Sequence, residues 1–119
     1  MPRWVSRAPH FWRVLVLLDE QLPVDLAAAL SGHTVDTVVG RGWTGVTNGE
    51  LLQRMRGEYD ALLTMDRGIE FQQNLSGLPF GVLLIRAPSN RVAHLQPLVP
   101  AILNALSRLV PGQLERIGS

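Results

Sequence analysis

Apolar and polar positions alternate along the chain in blocks rather than residue by residue. The run VLVLL (14–18) has no polar position, as expected for a short strand buried on both faces of a parallel sheet. PVDLAAALSGH (23–33) follows, with Leu22, Leu26 and Leu30 at helical spacing, Pro23 suited to a first turn and Gly32 to a stop. TVDTVV (34–39) is β-branched and predicts a second strand, and GRGWTGVTNG (40–49) a glycine-rich loop. ELLQRMRGE (50–58) predicts a short helix, YDALLT (59–64) a third strand, MDRGIEFQQNLSG (65–77) a loop or short helix, and FGVLLIR (80–86) a fourth strand. From Ser89 onward the pattern is helical, with Pro97 and Pro100 marking starts or a kink and AILNALSRLV (101–110) presenting an apolar face to the sheet. This order predicts a three-layer α/β/α fold with a mainly parallel sheet of four to five strands. The domain is expected over residues 13–110, with an N-terminal extension at 1–12 and a frayed tail at 111–119.

Composition narrows this picture only slightly. At 119 residues the chain suits one domain with a real core. It has no cysteine, which excludes a disulfide framework and thiolate metal sites and fits a reducing compartment. The net charge of +1 argues against a broad basic surface for nucleic acid. All eleven basic residues are arginine, so any mechanism that needs lysine is excluded. No segment approaches the roughly 18 to 20 apolar residues of a bilayer span, and residues 1–12 lack the apolar core of a secretion signal. The expected location is the cytoplasm.

The ten acidic residues carry more information, because several fall at strand ends. Asp19 and Glu20 end the first strand, and Asp66 follows the third. In an open parallel sheet, ligands bind outside the carboxyl ends of the strands, where strand order reverses. Glu50 opens the helix after the second strand and comes from the same edge. Glu70, four residues past Asp66, shares a face with it if that segment is helical. Carboxylates gathered on one edge repel one another unless a cation sits among them, and Mg²⁺ or Mn²⁺ suits oxygen donors. Such an ion can activate water against a phosphodiester.

Each of these residues also has a plain structural use. Glu50 stands three positions after Thr47 in TNGE, the spacing of a capping box. Glu20 could be a loop carboxylate, Glu70 a solvated helix charge, and Asp19 or Asp66 the cap of a turn. His10, His33 and His94 show no metal-ligand spacing, and Trp43 fits a packing anchor better than a stacking platform.

The segments VLLDEQLP, GHTVDTVVGRGWTGVTNGELL, ALLTMDRGIEFQQNL and VLLIRAPSN resemble, in this order and spacing, the DUF5615 family of PIN-like proteins, over residues 14–106. That resemblance implies a PIN-like nuclease with an acidic Mg²⁺ or Mn²⁺ site that cleaves single-stranded RNA, as in toxins of toxin–antitoxin pairs. It implies catalytic roles for Asp19, Glu50 and Asp66, and a metal shell drawn from Asp19, Glu20, Glu50, Asp66 and Glu70. The family-like TxDxDF pattern stands here as TMDRGIEF, which leaves both Glu70 and Asn74 open as the last ligand. Arg41 and Arg67 are candidates for phosphate contacts. The implied partners are RNA, an antitoxin protein and a second copy of the chain, with no membrane. The alternative is a catalytically degenerate PIN-like module that binds a protein partner. A signalling receiver domain is a third reading, disfavoured because it requires a lysine.

Overall fold

The computed structural model describes residues 14–72 and 74–118, so the expected N-terminal extension lies outside the described residues. Among the described residues five strands form one sheet: β1 (Leu15–Leu18), β2 (Thr34–Thr37), β3 (Ala61–Thr64), β4 (Gly81–Arg86) and β5 (Leu114–Gly118). Every pairing is parallel and the spatial order is β2-β1-β3-β4-β5. Between them run helices α1 (Asp25–Ala29), α2 (Asn48–Met55), α3 (Gly68–Gln72), α4 (Val92–Leu95) and α5 (Val99–Leu106), with a 3₁₀ turn at Gln96–Leu98.

Two apolar clusters, one on each face of the sheet, make this a three-layer α/β/α molecule. Side chains alternate across a strand, so Val16 and Leu18 of β1 join Ala61, Leu63, Leu83 and Ile85 on one face. Leu22, Leu26 and Leu30 around α1, Leu95 of α4 and Ile102 of α5 cover that face. Leu17, Leu62 and Val82 point the other way, against Leu51, Leu52 and Met55 of α2 and Ile69 of α3. The central strands are thus buried on both sides, which is why they read as unbroken apolar runs. By contrast β2 is an edge strand, alternately exposed and half-buried. Its polar Thr34, Asp36 and Thr37 suit an edge that must not recruit another strand.

The chain leaves β1 for β2 on one side and then crosses back to β3 on the other. Strand order therefore reverses between β1 and β3. The connections β1–β2 and β4–β5 run outward in opposite directions, yet their helices α1, α4 and α5 share a face. They consequently have opposite hands, and one departs from the right-handed rule for parallel crossovers.

The expected frayed tail at 111–119 is corrected: Leu114–Gly118 is β5, in register with β4 from Val82↔Leu114 to Arg86↔Gly118. Gly112 makes the turn into it, with φ of +82° and room for no Cβ, which would lie 2.5 Å from the Ser76 carbonyl oxygen. Ile117 then closes the α1/α5 cluster. The segment is too short and too polar to announce itself locally; β4, an apolar strand otherwise left as an edge, supplies the reason for it to pair.

Candidate functional site

The reversal of strand order brings the ends of β1 and β3 together, and the chemistry sits there. Leu18 pairs with Leu63, and the next amide, of Asp19, donates to the Leu63 carbonyl at 2.9 Å. This bond draws Asp19 into the sheet, where it is only 5% exposed. Its Oδ2 accepts the Thr64 hydroxyl proton at 2.6 Å, and its Oδ1 accepts the Glu20 amide at 2.8 Å. Thr64, fully buried, also accepts the Asp66 amide at 3.1 Å, so one hydroxyl joins the ends of both strands. Asp66 is held in turn: Oδ1 accepts the Gly68 amide and Oδ2 the Asn48 side-chain amide, each at 2.9 Å.

A carboxylate offers about four lone-pair positions. With two hydrogen bonds each, Asp19 and Asp66 keep acceptor capacity that nothing among the described residues satisfies. Gln21 lies nearby, its side-chain oxygen 3.5 Å from the Thr64 hydroxyl, and its backbone carbonyl accepts Asn90 Nδ2 at 2.8 Å. The loop after β4 is thereby tied to the loop after β1. Beside Asp19 a cleft of about 420 Å³ opens at the ends of β1 and β2, lined by Asp19, Leu22, Val24, Thr37, Val39 and Gly40.

The wider acidic ring expected from the sequence divides into different roles. Glu50 lies in the first turn of α2, whose N-cap is Thr47: the Thr47 hydroxyl accepts the Glu50 amide at 3.2 Å. The Glu50 carboxylate pairs with Arg54 Nε at 3.0 Å, one turn along the helix. Successive helical residues are 100° apart, so with Asn48 turned to Asp66, Glu50 two positions later lies about 200° around and faces away. Glu70 of α3 pairs with Arg116 of β5. The exposed Glu20 accepts the Gly45 amide at 3.4 Å and fastens the glycine-rich loop. Asn74 accepts the amide and hydroxyl of Ser76, closing a turn. Among the described residues no three His, Asp or Glu side chains gather as a metal-holding group.

The two arginines also differ. Arg41 stacks on Trp43 with its guanidinium carbon 4.2 Å from the ring centre, donates to the Tyr59 hydroxyl at 2.5 Å and pairs with Glu58 at 3.4 Å. It fastens the glycine-rich loop to the layer of α2. The hydrogen bond that Arg41 donates to Tyr59 outweighs the opposing burial and raises the Arg41 pKa above its ordinary value. Arg67 is exposed, and its guanidinium makes no hydrogen bond or ion pair among the described residues.

Sequence reasoning missed Thr64, Asn48 and Gln21. Thr64 was legible in principle, being a polar residue that ends an otherwise apolar strand. Asn48 had the signal of standing next to an N-cap on a helix starting at the ligand edge.

These residues fit a hard divalent cation of one kind. Two fixed carboxylates with amide and hydroxyl oxygens nearby, and no sulfur or imidazole, match an ion that keeps most of its waters and takes only one or two carboxylates besides a substrate phosphate. They do not form an all-protein cage. Comparison with known proteins adds no relative: no family model, no curated protein and no solved structure matches the chain. No helix among the described residues is long and apolar enough to cross a membrane.

Proposed function

We propose that this chain is a metal-dependent ribonuclease of the PIN-like class, working at the switch point between β1 and β3. The observation that carries the reading is the Asp19–Thr64–Asp66 bridge: one buried hydroxyl ties the Asp19 carboxylate to the backbone amide of Asp66, so two acids from separate strands are held at the edge where open parallel sheets bind ligands. Asp19 and Asp66 would hold Mg²⁺ or Mn²⁺, which supplies an activated water and offsets charge on the phosphate.

The chain's own residues set up that chemistry. The Thr64 hydroxyl fixes the rotamer of Asp19, and Asn48 with the Gly68 amide fixes Asp66, so the acids need little reorganisation when substrate arrives. Asp19 is buried and its neighbours Leu22, Val24 and Val39 carry no charge. Contacts along that cleft would fall on a base or ribose rather than a phosphate. Exposed Arg67, one residue from Asp66, meets the phosphate backbone. This assignment implies an RNA substrate and is compatible with a toxin whose antitoxin covers the carboxyl edge.

A second reading, a binding module that cuts nothing, draws on the pairing of Glu50 with Arg54 and of Glu70 with Arg116, which takes two of the five expected acids into ion pairs. The test is cleavage of single-stranded RNA in Mn²⁺ by wild type, Asp19→Asn and Asp66→Asn, each checked for an unchanged circular dichroism spectrum. The ribonuclease reading expects activity lost by at least about a thousandfold in both variants, the scale seen when a central charge-stabilising group is removed. Undiminished cleavage in both variants contradicts it, and a folded wild type that never cleaves leaves the binding module.

A further inference from the structure

Among the described residues one buried side-chain nitrogen or oxygen has no hydrogen-bond partner: Nε of Arg86. The guanidinium makes no ion pair among the described residues either. Arg86 as a residue is only half-buried, but a buried donor atom such as this Nε–H is satisfied almost without exception. An arginine cannot escape by losing its proton. Arg86 therefore calls for an anion.

Its place in the sheet says which one. Arg86 ends β4, and even-numbered positions of that strand share the face of Val82, on the side of α2 and α3. Thr64 pairs with Leu84, so Asp66 and Arg86 both stand two residues beyond one register pair on adjacent strands. On the other side Arg86 pairs with Gly118, which has no side chain to offer. Of the nearby acids Glu70 pairs with Arg116, and the Asp66 carboxylate is turned to Asn48 and the Gly68 amide rather than to Arg86. The register thus places a positive charge at the same sheet edge as Asp66, with no ion pair between them among the described residues.

We propose that Arg86 is an oxyanion-binding residue, holding a phosphate group through Nε–H and the remaining guanidinium donors beside the Asp19–Asp66 pair. The planar fork matches two phosphate oxygens. Placing that phosphate on RNA rests on the ribonuclease reading; an anion site at Arg86 does not.

The test follows the Arg86 Nε–H signal in ¹H–¹⁵N spectra, identified by its absence in Arg86→Lys. In EDTA, inorganic phosphate should shift this signal saturably, and a single-stranded oligouridylate should shift it too. Arg86→Lys should weaken oligouridylate binding about tenfold and lower the slope of log affinity against log salt by about 0.7, with the melting temperature and Mn²⁺ affinity of the Asp pair retained. A signal unmoved by phosphate and by RNA overturns the proposal. RNA that binds wild type and Arg86→Lys equally, with the signal still, overturns it while leaving the ribonuclease reading intact. A signal moved by phosphate in a protein that binds no RNA supports the anion site and removes the ribonuclease reading.

Discussion

Thr64 is the smallest unit on which the site depends. Its one hydroxyl donates to Asp19 and accepts from the Asp66 amide. Thr64→Val keeps the shape and removes both bonds, leaving a buried carboxylate oxygen and a backbone amide short of partners. The cost should be about 1–3 kcal/mol, read as a lower melting temperature, and RNA cleavage should fall with it because Asp19 loses its fixed rotamer. Thr64→Ser, which keeps the hydroxyl, should recover most of both. Equal melting and activity in wild type and Thr64→Val would show that the bridge is idle. The sequence made Asp19 and Asp66 visible because each carboxylate follows an apolar strand; it hid Thr64, whose role exists only once β1 and β3 are neighbours.

At the scale of elements, a helix shows its period in the sequence but not its rotation about its own axis. The stretch TNGE marks the N-cap of α2 correctly, with Thr47 accepting the Glu50 amide. Which of Asn48 and Glu50 faces the ligand edge depends on how Leu51, Leu52 and Met55 pack on the sheet. That packing turns Asn48 toward Asp66 and leaves Glu50 to Arg54. The glycine-rich loop shows a related limit. Arg41 reads as a phosphate ligand in sequence, yet it joins Trp43, Tyr59 and Glu58 in a staple closed by a 2.6 Å bond from the Tyr59 hydroxyl to Asp36. Burial, and then the bond to Asp36, pushes the Tyr59 pKa up from 10.0 to about 12, against the opposing pull of Arg41. A pKa raised by folding means that the native state holds the proton more tightly. This stabilisation is complete below pH 10 and is lost as pH rises from about 10 toward 12. Tyr59 is the chain's one tyrosine, so tyrosinate absorbance near 295 nm should titrate about two units higher in native than in unfolded protein. Coincident titrations would remove the staple's electrostatic part.

Across the whole molecule, the sheet both makes the core and positions the chemistry. The three-layer parallel architecture was legible because β1, β3 and β4 are apolar runs separated by helical patterns. Residues 111–118 were not, since β5 has meaning only beside β4. Ending the chain after Val110 should therefore do more than trim a tail. It uncovers the whole of β4 and removes Ile117 from the α1/α5 cluster, so the truncated chain should lose cooperative melting or self-associate, as size-exclusion chromatography would record. A truncated monomer that melts like wild type would contradict this. The same sheet places Asp19 and Asp66 at the reversal of strand order while Glu50 and Glu70 are drawn into ion pairs. The central claim is thus a two-carboxylate metal site, and Mn²⁺ calorimetry on four proteins tests it most directly. Wild type and Glu50→Gln should bind one Mn²⁺ per chain at millimolar or tighter affinity, and Asp19→Asn and Asp66→Asn should bind none. Binding that survives in both aspartate variants, or that disappears in Glu50→Gln, would contradict the account.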